Sequence, residues 1–212
     1  MTAIKSLVVL DCDSTTIAEE VIELIADAAG TREEVARITT LAMEGRYDFA
    51  ESLNARVATL AGVSDSVFQR VASAITLNPG FAELVDAVKA RDGKIGVVSG
   101  GFMEVLDLFL PGTGVDVWHA NTLEIEGNSL TGRVVGEIVD AAAKAKYLRA
   151  WGEQFGIPPE HTIAIGDGAN DLEMMRAARF AVGFRPKPIV REAADLVAEH
   201  SLAEAISLLD KL

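Results

Sequence analysis

The alternation of apolar and polar positions divides the chain into three stretches. The first is the run Leu7-Val8-Val9-Leu10, which stops abruptly at Asp11-Cys12-Asp13-Ser14-Thr15. A short run of β-formers ending in a polar switch predicts a buried strand of a parallel sheet. The second stretch, residues 16–75, holds no strand-like run. Val21, Ile22, Leu24, Ile25 and Ala28 recur at helical spacing, and Gly30 is a natural stop. Thr31-Arg32-Glu33-Glu34 has the form of a capping box and opens a second helix. Asp48-Phe49-Ala50-Glu51 opens a third, which Gly62 closes, and a fourth follows Ser64. Four short helices between a first strand and the rest of the chain predict a lid. A helical unit serving only stability has the same pattern.

In the third stretch, from Asn78-Pro79-Gly80 onward, helix and strand alternate. A helix spans about Phe81 to Arg91, Asp92-Gly93 turns, and the strand Ile95–Val98 ends in Ser99-Gly100-Gly101. A helix to Leu110 follows. Residues 115–139 read as short strands with a hairpin turn at Glu126-Gly127-Asn128-Ser129. A helix carrying Lys144 and Lys146 leads to Gly156, then a strand Thr162–Ile165 ends in Gly166-Asp167-Gly168-Ala169-Asn170-Asp171. Two further βα units occupy 180–195 and 196–211. The expected fold is α/β, a doubly wound parallel sheet formed by residues 1–15 and 76–212, with residues 16–75 as a small inserted helical bundle.

Composition narrows the function classes. The chain has 212 residues, half of them hydrophobic, and carries a net charge of −13. Its mean hydropathy is +0.26, which argues against disorder. With no basic stripe to neutralise phosphates, nucleic acid is not an expected partner. A small anionic substrate still fits if a metal and a few cations set the local field. The single cysteine, Cys12, excludes an intrachain disulfide and fits a reducing compartment. Strand alternation turns Cys12 away from its flanking aspartates, whose charge opposes thiolate formation, so a catalytic thiol is not expected. The first apolar run is too short for a signal sequence, and no stretch approaches bilayer-spanning length. The expectation is a cytoplasmic protein with no membrane partner. Oligomeric state stays open.

Three strands thus end in residues capable of chemistry: Asp11/Asp13, Ser99-Gly100 and Asp167/Asn170/Asp171. In a parallel sheet these ends share one edge, where ligands bind. Two aspartates so close resist joint ionisation unless a cation joins them, and Mg²⁺ prefers such hard oxygen ligands. A bare D-x-D also fits a surface aspartate beside a helix N-cap. A carboxylate can act as a phosphoryl-accepting nucleophile, with a lysine, a hydroxyl and glycine amides neutralising the transferred group.

Asp11-Cys12-Asp13-Ser14-Thr15, Val97-Val98-Ser99-Gly100-Gly101, a lysine near 144 and Gly166-Asp167-Gly168-Ala169-Asn170-Asp171 resemble, in order, the four motifs of the haloacid dehalogenase superfamily. More narrowly they resemble its phosphatases of O-phospho-L-serine. The likeness takes in Met43-Glu44-Gly45, Phe49, Arg56, Ala120-Asn121 and Lys187-Pro188. It implies a Rossmann-like core, a helical cap, and the last step of L-serine biosynthesis. Asp11 would be the nucleophile and Asp13 the general acid and base. Mg²⁺ would be held by Asp11, the backbone carbonyl of Asp13 and Asp167, with Asp171 orienting that shell. Ser99, Gly100, Lys144 and Asn170 would hold the phosphoryl group. Glu20 would meet the substrate amine, Arg56 its carboxylate, and Met43 and Phe49 would wall the pocket. Lys146 competes with Lys144, but two residues apart on a helix they point in different directions, and the alignment favours Lys144. Thr16 and Glu19 depart from the family pattern. His119, His161 and His200 match no catalytic position. A related phosphatase or phosphotransferase with another substrate or acceptor is the near alternative. A non-enzymatic phospho-acceptor module, like a response-regulator receiver, shares the aspartate, metal, hydroxyl and lysine but needs neither a cap nor Asp13.

Overall fold

The computed structural model describes residues 5–43 and 46–212, the side chain of Met43 excepted. Seven strands form one sheet, β1 (Leu7–Leu10), β2 (Lys94–Phe102), β3 (Val117–Glu126), β4 (Ser129–Val135), β5 (Thr162–Gly166), β6 (Phe180–Phe184) and β7 (Leu196–Ala198). Their order is β4-β3-β2-β1-β5-β6-β7, and every neighbouring pair is parallel except β3–β4. The doubly wound sheet expected from the alternation is present. β1 lies at its centre, and all four of its side chains are fully buried, as a strand covered on both faces requires.

Strand alternation sorts those side chains between two layers. Val8 and Leu10 pack with Ile163, Ile165 and α5 (Phe81–Lys89), while Leu7 and Val9 pack with Ala164, α7 (Ala141–Phe155) and α8 (Leu172–Ala177). The remaining core helices are α6 (Met103–Phe109), α9 (Pro188–Ala193) and α10 (Ile206–Leu209). β2 runs past Ser99 to Phe102, with a register shift between Val98 and Phe102, so the strand is longer than its apolar run. The β3–β4 hairpin turns on Gly127 and Asn128, with φ of 56° and 66°. Two consecutive left-handed residues match the right-handed twist of the flanking strands. No helix among the described residues is long and apolar enough to cross a membrane.

Between β1 and α5 lie four helices, α1 (Val21–Ala29), α2 (Arg32–Met43), α3 (Phe49–Ala58) and α4 (Val67–Ala74). Gly30 ends α1 in the left-handed conformation, and Asp48 and Glu51 cap α3 reciprocally, as their sequences predict. The capping box at Thr31 differs: Glu34 turns outward to Arg37, at 2.6 and 2.9 Å. The exposed i,i+3 ion pair competes with the return hydrogen bond.

Two chain crossings join these helices to the sheet. Ile17 and Leu77 form an antiparallel bridge, and the buried Asn78 amide donates to the carbonyls of Thr15 and Ile17 at 2.9 and 2.8 Å. Glu19 accepts from the Thr76 amide at 3.0 Å, so its departure from the family pattern serves this junction. At the far end, Gly62 and Val63 exchange backbone hydrogen bonds with Leu130 of the hairpin. Replacing Asn78 with leucine leaves two buried carbonyls without their donor and should destabilise the protein by about 2–4 kcal/mol. An unchanged urea midpoint would contradict that role.

Candidate active site

The central register fixes the site. Leu10 pairs with Val97 on β2 and Ile165 on β5, so the residues after these three strands emerge side by side. The Asp11 amide still donates to the Ile165 carbonyl at 2.9 Å, continuing the ladder by one step. The chain then turns sharply through Cys12–Thr16, with Ser14 at φ 58°. Thr16 is buried, and its hydroxyl donates to the Asp11 carbonyl at 2.6 Å. The small polar residue at this departure from the family pattern therefore fastens the turn that aims Asp11. Cys12 faces the core, and burial followed by Asp13 and Asp11 raises its thiol pKa.

Lys144 is fully buried on α7, whose first turn is capped by Asp140. Its Nζ lies 2.5 Å from Asp11 Oδ1 and 2.7 Å from Asp171 Oδ1. Burial acts to lower the ammonium pKa, but the two carboxylates outweigh it and hold the lysine charged. Lys146 points outward and pairs with Glu137 at 2.7 Å. Asp171 accepts from the amides of Asp167 and Gly168 through Oδ2, at 3.1 and 3.0 Å. A Cβ at Gly166 would fall 2.3 Å from that oxygen, so only glycine lets Asp171 fold back against the strand end.

Ser99 is buried, and its hydroxyl accepts from the Gly101 amide at 2.8 Å. Asn121 clamps this loop, donating to the Gly100 carbonyl at 2.9 Å and accepting from the Val139 amide at 2.8 Å. A Cβ on Gly101 would sit 3.0 Å from Ser99 Oγ and 3.2 Å from Asp13 Oδ2. These two groups thus share the space above Gly101. A Cβ on Gly100 would lie 3.2 Å from the Phe49 ring, which brings the helical insert against the strand end.

A cavity of about 110 Å³ gathers these elements. On the sheet side it is lined by Asp11, Asp13, Gly100, Asp167 and Asn170, and on the insert side by Glu20, Phe49, Leu53 and Arg56. Ser99 and Lys144 lie beneath this lining. Met43-Glu44-Gly45 lies outside the description: Met43 ends α2, but its side chain and residues 44–45 are not described. None of the three histidines lines the cavity, and His119 instead stacks on Tyr147 with centroids 4.1 Å apart.

The carboxylates are strained electrostatically. Burial, then Asp171, raises Asp11 well above the usual carboxylate range, with Lys144 opposing. Burial also raises Asp167, against the pull of Lys187. Asp13 is pushed up to about 7, first by burial and then by Glu20. The Glu20 carboxylate accepts from Ser14 Oγ at 2.8 Å and is itself raised by burial. Removing the charge with Glu20→Gln should lower the Asp13 midpoint in the metal-free protein. Carboxyl ¹³C NMR across pH 4–9 would show it, and an unmoved midpoint would refute the coupling.

Lys187 was not assigned a site role from sequence, although Lys187-Pro188 belongs to the matching stretch. It follows β6, donates its backbone amide to the Asp167 carbonyl at 2.9 Å, and brings its ammonium 3.2 Å from Asp167 Oδ2. Its position three residues past a strand end, on the reactive edge, is the available signal.

These residues fit a divalent metal. Carboxylate oxygens of Asp11, Asp167 and Asp171 lie within 4.8 Å of one another. Asp171 has both oxygens committed to Lys144 and backbone amides, which leaves Asp11 and Asp167 the freer ligands. Among the described residues, the carboxyls of Asp11, Asp13, Glu20 and Asp167 at the cavity and of Asp171 behind it are set against the cations Arg56, Lys187 and the buried Lys144. A divalent ion would offset the repulsion among these carboxyls and favour their ionised forms.

The haloacid dehalogenase-like hydrolase family matches residues 8–176. A phosphoserine phosphatase of Streptomyces coelicolor is 52% identical over 90% of this chain, which spans 46% of that protein. One from Streptococcus thermophilus is 45% identical over 100% of this chain and 99% of its own length. The chain thus spans about half of one relative and nearly all of the other. A solved phospho-aspartyl intermediate analogue of phosphoserine phosphatase superposes with a TM-score of 0.89 at 36% identity, covering 96% of this chain and 98% of that one. By this family match and these identities over nearly its whole length, the chain belongs to the haloacid dehalogenase-like hydrolases and, among them, to the phosphoserine phosphatase family.

Proposed function

We propose that the protein hydrolyses O-phospho-L-serine to L-serine and phosphate, with Mg²⁺ as cofactor, in the last step of serine biosynthesis. The observation that carries this reading is the single cavity lined on one side by Asp11 and Asp13 and on the other by Glu20 and Arg56. The substrate has an ammonium, a carboxylate and a phosphate, and the cavity offers an anion, a guanidinium and a phosphoryl-accepting carboxylate for them.

Residues 16–75 act as a cap over a core made of 1–15 and 76–212. Glu20 receives the amine and Arg56 the carboxylate, while Phe49 excludes water. Asp11 attacks phosphorus, and the bond to the serine oxygen breaks. Asp13 gives that oxygen its proton, which its midpoint of about 7 suits. Water then attacks the aspartyl-phosphate, Asp13 takes the proton back, and Asp11 is freed with release of phosphate. Ser99, the Gly100 amide, Asn170 and Lys144 hold the phosphoryl oxygens, Lys144 through a charge kept by its two carboxylates. Asp11, Asp167 and the Asp13 carbonyl would hold Mg²⁺, with Asp171 orienting them. The ion supplies charge neutralisation between the nucleophile and the phosphoryl group.

The test is phosphate release from O-phospho-L-serine with Mg²⁺, with and without EDTA, beside phosphothreonine and a sugar phosphate. The expected result is selective, chelator-sensitive hydrolysis that Arg56→Ala lowers about 10²–10³-fold. Efficient hydrolysis of the other esters, with none of phosphoserine, would discard the substrate.

A further inference from the structure

A second cavity, of about 300 Å³, adjoins the first and shares Asp167 and Lys187 with it; Ser14, Ala18, Asn78 and Arg185 complete its lining. Its charge is opposite to that of the molecule. Two cations, Arg185 and Lys187, face it, and its one carboxylate, Asp167, is already paired with Lys187. In a protein of net charge −13, a pocket faced by two cations and adjoining the catalytic cavity is a place where a phosphate dianion meets local attraction.

The backbone singles out the same place. Four described residues other than glycine have positive φ. Asp92 and Asn128 occupy turns, where their side chains tolerate it. The other two, Ser14 at 58° and Arg185 at 43°, both line this cavity. An arginine in that region is strained, and strain of this kind collects at functional positions.

Arg185 is also aimed. Its amide donates to the Ala198 carbonyl at 2.9 Å. Asn78 is buried and gives both amide hydrogens to Thr15 and Ile17, which turns Oδ1 towards Arg185 Nη1 at 3.4 Å. The guanidinium makes two more long contacts, with the carbonyls of Glu199 at 3.3 Å and His200 at 3.4 Å. Three long bonds leave part of its five-donor fork available to an anion.

We infer that this cavity is an antechamber for a phosphate dianion, held by Arg185 and Lys187 next to the catalytic cavity, either within an arriving monoester or as departing orthophosphate. Its part in turnover rests on the phosphatase reading; its affinity for phosphate does not.

The test is a titration of inorganic phosphate into the full chain in EDTA at low ionic strength, followed by ³¹P line width. The variants are Arg185→Gly, which suits the positive φ and keeps the fold while removing the cation, and Arg185→Lys, which keeps the charge. The expected result is a weak, salt-sensitive phosphate site that Arg185→Gly weakens about tenfold and Arg185→Lys largely retains. With Mg²⁺ and phosphoserine, Arg185→Gly should raise KM at low ionic strength and rejoin the wild type in about 0.5 M salt if the monoester docks there. Loss of inhibition by added orthophosphate would instead mark the exit route. Equal phosphate affinity in the folded wild type and Arg185→Gly, or equal loss in both variants, would overturn the antechamber. A protein inactive on phosphoserine that still binds phosphate through Arg185 would sink only the substrate.

Discussion

Asp11→Asn is expected to abolish turnover, by about 10⁴–10⁶-fold, while leaving the fold in place. The substitution is nearly isosteric and removes the attacking carboxylate. It also removes half of the charge that the buried Lys144 balances, since Asp11 Oδ1 lies 2.5 Å from Nζ. Stability should change less than activity, because Asp171 still pairs with that lysine at 2.7 Å. Burial already raises the Asp11 pKa, so its ionised form is costly to the folded state. Removing it trades a lost ion pair against relief of repulsion from Asp171. Stopped assays and a urea titration on the same preparation would check both halves. Residual hydrolysis within tenfold of the wild type would remove Asp11 from the nucleophile role.

Lys144→Met has a large expected effect on stability as well as on rate. The ammonium is fully buried and bridges two carboxylates that are themselves buried. Removing one partner of such a cluster leaves uncompensated charge, at a cost of about 3–5 kcal/mol near neutral pH. The loss should depend on pH with a definite sign. Asp11, already raised in the folded protein, rises further without the lysine, so the folded variant binds protons more readily than the unfolded chain. Its stability is then greatest in acid and falls as pH rises through the elevated folded pKa. The deficit relative to wild type should be smaller at pH 5 than at pH 8, measured by urea denaturation. Turnover should fall about 10²–10³-fold at any pH, since a neutral side chain cannot offset phosphoryl charge. A deficit independent of pH would contradict the buried-charge account.

The reactive edge was legible because three strands end in polar residues at one edge, and a parallel sheet gathers such ends. Register turns that into geometry: Leu10, Val97 and Ile165 lie abreast. The choice between Lys144 and Lys146 was also legible, as a two-residue step on a helix sends one lysine inward and the other to Glu137 in solvent. Less legible were contacts that join positions distant in the chain. Thr16 departs from the family pattern with no visible reason in the sequence, yet its hydroxyl fastens the Asp11 carbonyl. In the sequence Asn78 only opens the third stretch, but its side chain bonds back across more than sixty residues to both sides of the first crossing. Lys187 reaches Asp167 from the next strand's loop. At Thr31 the box motif was present, but the Arg37 side chain took Glu34. Local pattern sets which residues are helical or buried; partner choice among long polar side chains is decided by tertiary neighbours.

The central claim is that Asp11 carries the phosphoryl group. The measurement that tests it most directly is mass spectrometry of protein mixed with Mg²⁺ and O-phospho-L-serine and quenched in acid within one turnover. The account predicts one added phosphoryl group on the peptide containing Asp11, lost on treatment with hydroxylamine and absent in Asp11→Asn. Phosphate released at full rate with no modified peptide at any quench time, or a phosphoryl group on another residue, would contradict it.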